Sequence, residues 1–161
     1  MLVWLWLALA VFASANAISQ TPGQWRYTIA TDPANIPADM RVNFPTISFD
    51  VCRSADDFAS GRAFALQTLA SSAVRCPSSG FTRAAQADGR GESLQFIYAC
   101  DDGKTLTGTA DGRVLSTRFS VTLESRYQPT VNGVELVRQT MRGERIGACK
   151  VVPNAGEMRV H

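Results

Sequence analysis

The stretch that decides the fold is residues 81–149, which read FTRAAQADGRGESLQFIYACDDGKTLTGTADGRVLSTRFSVTLESRYQPTVNGVELVRQTMRGERIGAC. Short runs of alternating apolar and polar residues are separated there by four two-residue steps: Asp88-Gly89, Asp102-Gly103, Asp111-Gly112 and Asn132-Gly133. Tight hairpin turns need positive φ angles, which Gly adopts without steric cost and Asn or Asp tolerates better than most residues. Four such steps in succession predict an antiparallel meander.

The alternation also predicts individual strands and their faces. In residues 92–100, Leu94, Phe96, Tyr98 and Cys100 share one face of the predicted strand. Further strands are predicted over residues 23–29, 41–52, 81–87, 104–110, 113–126 and 134–146. Gly108 lies in the middle of one of them and favours a bend. We therefore predict a mainly β fold, either a strongly curved antiparallel meander or a small open β-barrel.

The alternation of apolar and polar residues ends after Cys52, and helical spacing of the apolar residues follows. One short helical insertion is predicted there, and it can cover the apolar face of the sheet. Ser54 can cap a helix whose first turn contains Asp56 and Asp57, and negative charge there suits the helix dipole. Gly61 weakens the helical pattern. One helix and two short helices separated by a bend therefore both fit the sequence.

Residues 1–17 carry no charged side chain and combine an apolar run of about a dozen residues with Ala15-Asn16-Ala17, which predicts a secretory signal peptide. Cleavage after Ala17 is favoured over cleavage after Ala15. An uncleaved membrane anchor would need roughly 20 apolar residues. We predict a signal peptide over residues 1–17, a single β-rich domain over residues 18–149, a flexible C-terminal tail over residues 150–161 and periplasmic or secreted localisation, with no integral membrane span after cleavage.

The four cysteines follow this predicted export signal, which favours two structural disulfides over a metal site or a reactive thiol. The predicted turn at Asp88-Gly89 would bring Cys76 and Cys100 together at the open end of a hairpin, which leaves Cys52 with Cys149. The alternative pairs Cys52 with Cys76 and Cys100 with Cys149.

The residues predict no catalytic, cofactor or metal site. The only histidine is His161, the last residue, and no Gly-x-Ser-x-Gly motif is present, so an activated serine lacks its usual partners. We therefore expect a protein that is not an enzyme. The formal net charge of +2 is spread along the chain, and it does not favour nucleic-acid binding.

Two groups of residues are candidates for binding. Arg138 and Arg142 share a face of one predicted strand, whereas Arg145 points to the other, so a solvated strand face is favoured over an anion-binding stripe. Trp25, Tyr27 and Tyr98 would line a ligand cavity if the sheet closed, and would otherwise be core aromatic residues.

The chain resembles a family of small exported bacterial proteins that is known only as a domain of unknown function. The motifs that carry the resemblance are Pro22-Gly23-Gln24-Trp25, Cys52 followed by Asp56-Asp57, the interval from Cys76 to Cys100, and the run TMRGERIGAC that ends at Cys149. The resemblance implies an exported β-rich domain with paired cysteines, and it implies no activity.

Three functions follow as hypotheses. The first is an exported, non-catalytic binding or interaction module of the cell envelope, with an unknown envelope protein or a surface polymer as its partner. The alternative is a lipocalin-like carrier of a small apolar ligand, which requires an interior larger than the side chains fill. A hydrolase with an unrecognised site is the least favoured, because a usable base is missing.

Overall fold

The computed structural model describes residues 19–65, 78–150 and 159–160, of which most belong to one β-sheet. Its strands are β1 (Gly23–Thr31), β2 (Ile47–Arg53), β3 (Ser78–Ala85), β4 (Glu92–Cys100), β5 (Leu106–Val114), β6 (Arg118–Val131), β7 (Val134–Gly147) and the two-residue β8 (Arg159–Val160). The described helices are α1 (Ala55–Ala59) and four short 3-10 helices: Pro33–Asn35, Ala38–Asn43, Arg62–Phe64 and Asp101–Gly103.

The strands are ordered β3-β4-β5-β6-β7-β1-β2-β8, and every neighbouring pair is antiparallel. The predicted meander is confirmed over β3 to β7. The chain's first strand, β1, then pairs with β7 and brings β2 with it. The sheet is open, with β3 and β8 at its two ends, so the predicted alternative of a small β-barrel is wrong.

The helical insertion packs on one face of this open sheet. Phe64 contacts Phe81 on β3 and Phe119 on β6, with ring centroids 6.0 and 5.1 Å away. These two strands are three positions apart in the strand order, so one ring of the insertion links distant parts of the sheet. We name the face that the insertion covers the inner face and the opposite one the outer face.

The inner face holds the main core. Trp25, Tyr27 and Ile29 on β1 are buried, as the alternation predicted, and so are Phe119, Val121 and Leu123 on β6. On β4 the four residues predicted for one face are all buried, while Gln95 and Ile97 between them are exposed. The residues sharing a cluster with them include Phe49, Phe58, Phe64, Leu106, Ala110, Val114 and Met141.

Three of the four predicted turns are confirmed by their backbone angles. Asn132 and Gly133 have φ angles of 51° and 79° between β6 and β7, Asp102 and Gly103 have 54° and 80°, and Gly89 has 65°. The fourth prediction is wrong, because Asp111 and Gly112 lie inside β5 and pair with β4 and β6. A Cβ on Gly112 would overlap the Ser120 backbone, so this glycine permits close strand approach rather than a turn. The chain reverses instead after β5, where the Leu115 N–H donates to the Arg118 carbonyl at 2.8 Å.

Two further predictions about single strands are corrected, one about where a strand begins and one about the role of a glycine. The strand predicted over residues 41–52 begins only at Ile47, because residues before Pro45 form a 3-10 helix. Gly108 is paired within β5, and a Cβ there would overlap the ring of Tyr98, its partner on β4. This glycine makes room for an aromatic ring that packs across the strand.

The helical insertion begins as predicted. The Ser54 hydroxyl accepts from the Asp57 N–H, and the Asp57 carboxylate accepts from the Ser54 N–H, which together form a capping box. Gly61, with φ of 80°, ends this turn, and the 3-10 helix Arg62–Phe64 follows. Within residues 54–65 the structure thus matches the alternative of two short helices, and it brings Phe58 and Phe64 into the core.

Cys52 and Cys149 form a disulfide with a Cα–Cα distance of 5.5 Å, as one of the predicted pairings required. The alternative, Cys52 with Cys76 and Cys100 with Cys149, is therefore wrong. Cys100 is buried, whereas Cys76 lies outside the described residues, so the second predicted bridge stays a prediction. The predicted signal peptide also lies outside them. Of the predicted C-terminal tail, Arg159 and Val160 pair with β2.

Candidate functional site

The three aromatic residues predicted as ligand-lining lie in the packed core. Trp25 and Tyr27 are 0% exposed and Tyr98 is 3% exposed. Their polar atoms all have protein partners: Trp25 Nε1 donates to the Thr21 carbonyl at 3.2 Å, Tyr27 Oη donates to the Ala63 carbonyl at 3.0 Å, and Tyr98 Oη lies 2.6 Å from Ser125 Oγ. These contacts give all three residues a structural role, and neither of the two clefts described below includes them.

The outer face of the same strands carries a different set of side chains. Because successive residues of a strand point to opposite faces, the residues between the buried ones project outward: Arg26 and Thr28 on β1, Arg118 and Ser120 on β6, Arg142 and Glu144 on β7, and Arg113 on β5. The strand register aligns Arg26 and Arg118 with Glu144, and it aligns Thr28 and Ser120 with Arg142. Seven polar side chains from four strands thus meet on one surface.

These side chains line a cleft of about 490 Å³, which we name the outer-face cleft. Its lining contains four arginines, Arg26, Arg113, Arg118 and Arg142, and a single carboxylate, Glu144. A second cleft of about 420 Å³ continues from it, sharing Arg118 and Glu144 and adding arginines from the β3–β4 loop and the end of β7: Arg90 and Arg145. The combined surface is strongly cationic.

Two of the four arginines are held by carboxylates at the rim of the cleft. Arg26 donates to both oxygens of Asp50 at 2.8 and 2.9 Å, and this hydrogen-bonded pair raises the pKa of Arg26 above its ordinary value. Arg113 donates to Asp88 at 2.7 Å. A hydrogen bond from the Arg90 N–H and the Arg113 guanidinium together hold the pKa of Asp88 below its ordinary value. Both pairs keep these arginines charged and oriented.

Arg118 and Arg142 differ from these two. Both are exposed, and among the described residues neither has an ion-pair partner within 4.0 Å. They are diagonal neighbours on β6 and β7, which places their Cβ atoms about 7–8 Å apart. The other two residues of these cross-strand pairs are Glu144, opposite Arg118, and Ser120, opposite Arg142. Two guanidinium groups that face one cleft without a bound carboxylate are available to an anionic ligand.

Of the three arginines on β7, Arg138 and Arg142 share the outer face as predicted, whereas Arg145 lines the second cleft beside Arg118 and Glu144. Arg138 lies outward and donates to Glu124 at 2.8 Å, which lowers the pKa of that carboxyl. Arg142 is also outward, whereas Arg145 donates to the Pro22 carbonyl at 2.9 Å near the start of β1. The pattern of one strand alone does not reveal the partners of Arg142 on β1 and β6.

The amino-acid composition contains a signal for this cationic surface, namely an excess of arginine over lysine. The chain has 14 arginines and two lysines, Lys104 and Lys150, among its 16 cationic residues. Arginine presents a planar set of donors that matches carboxylate and phosphate groups, whereas lysine is a flexible point charge. Six of the 14 arginines line the two clefts, so the excess of arginine over lysine is the sequence signal that could have pointed to this surface.

Residues 19–65, 78–150 and 159–160 contain no group of three or more His, Cys, Asp or Glu side chains placed to hold a metal ion. No helix in this part of the chain has the length and apolar character needed to cross a membrane.

Comparison with known proteins identifies the chain by family alone. No curated protein and no solved structure matched it. The sequence profile of a family described as "Protein of unknown function (DUF3617)" matches residues 20–149, which include every strand from β1 to β7 and both cysteines of the described disulfide. The chain therefore belongs to the DUF3617 family.

Proposed function

We propose that this protein is an exported, non-catalytic binding module of the cell envelope whose ligand carries negative charge and binds in the outer-face cleft. The observation that carries the proposal is the pair Arg118 and Arg142. Both side chains project into one cleft, and neither has an ion-pair partner among the described residues.

Charge and geometry both favour an anion there. The outer-face cleft has four arginines against one carboxylate, so its potential is positive even after Asp50 and Asp88 at the rim are included. Guanidinium groups bind carboxylates and phosphates through two parallel hydrogen bonds. The hydroxyl groups of Thr28 and Ser120 stand beside Arg142 and add neutral hydrogen-bonding groups. An anionic ligand would meet complementary partners at each of these positions.

Export is supported by two features. The Cys52–Cys149 disulfide is a bond typical of oxidising compartments such as the periplasm or the extracellular space. Residues 1–17 have the pattern of a secretory signal peptide. Both features support a location for the proposed binding face among the polymers and proteins of the envelope. The alternative of a small-molecule carrier has no comparable observation in its favour, because Trp25, Tyr27 and Tyr98 are enclosed by packed neighbours.

The proposal is tested by measuring the affinity of the mature protein for dextran sulfate, with uncharged dextran as the blank. The variant R118A/R142A removes the two unpaired arginines. The matched control R126A/R138A removes two arginines from the other end of the same β6–β7 hairpin, where both lie near Glu124. Each variant loses the same net charge from the same face.

We expect R118A/R142A to lose at least tenfold in affinity at low ionic strength and R126A/R138A to change less than twofold. Binding should also weaken as salt is added, because exposed charges are screened. Equal losses in the two variants would mean that net charge alone attracts the polymer. That result, or no binding of dextran sulfate by the wild type, would overturn the proposal.

A further inference from the structure

We propose that the outer-face cleft binds an acidic polysaccharide with a carboxylate on every second sugar, and that the polysaccharide lies across strands β1, β7, β6 and β5. This inference rests on the anion-binding function proposed above and adds the class of the ligand and its direction. The spacing of charges across the sheet carries it.

Outward side chains that are cross-strand partners form rows that run across the sheet, and the first such row alternates in charge. Arg26 on β1 and Arg118 on β6 are each the cross-strand partner of Glu144 on β7, which lies between them. Neighbouring strands are about 4.8 Å apart, so the backbone positions of the two arginines are about 10 Å apart, with Glu144 midway. Asp50 on β2 already binds the guanidinium of Arg26, whereas Arg118 has no ion-pair partner among the described residues. A ligand following this row meets the unpaired cation at one end, an arginine within an ion pair at the other, and a hydrogen-bond acceptor in the middle.

The second row repeats the same spacing with hydroxyl groups. Thr28 on β1, Arg142 on β7, Ser120 on β6 and Arg113 on β5 are successive partners across the sheet. Arginines again occur on every second strand, at backbone positions about 10 Å apart with a hydroxyl residue between them, and Arg113 is bound by Asp88 as Arg26 is bound by Asp50. The two rows are offset by one strand, so Arg26, Arg118 and Arg142 each stand beside a neutral or acidic residue of the other row.

A polysaccharide of alternating uronate and neutral sugars matches this pattern. Its carboxylates recur once per disaccharide, and the neutral sugar between them offers hydroxyl groups that can donate to Glu144 or exchange hydrogen bonds with Ser120. A polymer with a charge on every unit would place an anion against Glu144, where like charges repel. The neutral sugars therefore contribute to recognition as well, because they meet Glu144 without repulsion and can donate hydrogen bonds to it.

Two other observations fit a polysaccharide. The outer-face cleft continues into the second cleft, which shares Arg118 and Glu144, so the surface can follow a chain over more than one unit. Among the described residues no Phe, Tyr or Trp side chain is exposed. Single-stranded nucleic acids bind through bases stacked on exposed aromatic rings, and this surface lacks such rings.

The test compares three linear polymers of matched charge concentration by isothermal titration calorimetry. Hyaluronan oligosaccharides supply a carboxylate on every second sugar, polygalacturonate supplies one on every sugar, and inorganic polyphosphate supplies one charge or more on every unit. We expect hyaluronan to bind at least fivefold tighter than either of the others. We also expect R118A/R142A to weaken hyaluronan binding at least tenfold and R126A/R138A to leave it within twofold.

The variant E144Q separates the inference from the proposed function. Removing the central negative charge should strengthen polyphosphate and polygalacturonate binding by at least threefold and leave hyaluronan within twofold. If the wild type binds polyphosphate as tightly as hyaluronan or tighter, with the same dependence on Arg118 and Arg142, the alternating ligand is wrong and the anion-binding function stands. If none of the three polymers and no dextran sulfate binds, both proposals fail.

Discussion

The two faces of one sheet differ sharply although they are built from neighbouring residues of the same strands. On β1, Trp25 and Tyr27 are fully buried, while Arg26 and Thr28 lie in the outer-face cleft. On β7, Met141 is 0% exposed, while Arg142 beside it projects outward. Inner residues bury apolar surface, which dominates folding free energy. Outer residues remain hydrated and contribute less to stability, and those without an ion-pair partner among the described residues, such as Arg118 and Arg142, are free to bind.

The largest difference between the faces should appear in the variant Phe64→Ala. Phe64 is 0% exposed and its ring contacts Phe58, Phe81 and Phe119, so truncation leaves a cavity in the core between the insertion and the sheet. We expect a loss of about 3–5 kcal/mol in the free energy of unfolding, measured by urea denaturation. The control Ile97→Ala truncates an outward, 54% exposed residue and should cost less than about 1 kcal/mol. Equal losses in the two variants would contradict the assignment of the faces.

The disulfide that holds the sheet together gives the next effect. Cys52 and Cys149 are separated by 97 residues, so their bond restricts most of the unfolded chain. The variant C52A/C149A should lose about 2–5 kcal/mol in the free energy of unfolding. Its affinity for dextran sulfate should stay within twofold of the wild type under conditions where it remains folded. A loss of less than about 1 kcal/mol would mean that strand pairing alone holds β2 and the end of β7 in place.

Peptide mapping of the oxidised wild type should also find Cys76 bonded to Cys100.

The titration of Tyr27 tests how completely the inner face excludes water. Burial raises the pKa of Tyr27 to about 12, although Arg53 beside it acts in the opposite direction. Because the folded-state pKa lies above the unfolded value, the corresponding stability is fully present below about pH 10 and is lost as pH rises toward 12. We expect wild type to lose about 2–3 kcal/mol more than Tyr27→Phe between these pH values.

The measurement is urea denaturation at pH 9 and at the highest pH where both proteins remain folded. Phenolate absorbance should show Tyr27 ionising only at strongly alkaline pH or on unfolding. If Tyr27 titrates near pH 10 in the folded protein, its ring is in contact with water. That result would reopen the hypothesis of a ligand cavity lined by Trp25, Tyr27 and Tyr98.

The smallest effect on stability should come from the outer-face cleft itself. Arg118 and Arg142 are exposed and have no ion-pair partner among the described residues. The variant R118A/R142A should therefore unfold within about 0.5 kcal/mol of the wild type, measured by urea denaturation alongside Phe64→Ala. A loss above about 2 kcal/mol would show that these arginines hold the sheet, and a loss of polymer binding could then no longer be assigned to the cleft.

Local sequence patterns were sufficient to predict the strands and buried residues of the inner face. The alternation in residues 92–100 predicts both the limits of β4 and its buried side, and Ser54 with Asp57 predicts the start of α1. These features depend on residues close together in the chain. The Asp-Gly rule failed at Asp111-Gly112 because a glycine that admits a neighbouring strand and one that makes a turn look alike in sequence.

The outer-face cleft depends on information that one strand does not contain. Arg142 is recognisable as an outward residue from periodicity alone, but its relation to Arg26 and Arg118 requires the pairing of β7 with β1 and β6. The β1–β7 pairing joins the beginning of the domain to its end, and no turn motif links them. That the sheet stays open, with β3 and β8 at its ends, could not be predicted either, because alternation assigns the two faces of each strand and does not say which strands end the sheet.

The most direct test of the division between the faces is amide chemical-shift mapping by NMR, with the labelled mature protein titrated with hyaluronan oligosaccharides. We predict that the largest shifts fall on residues 26–28, 118–120 and 142–144, which alternate between the two faces but are adjacent in the sheet. Residues 124–126 and 135–138, at the far end of the same hairpin, should change little. Shifts confined to that far end or to the core around Phe64, or no shifts at all, would contradict a binding site on the outer face.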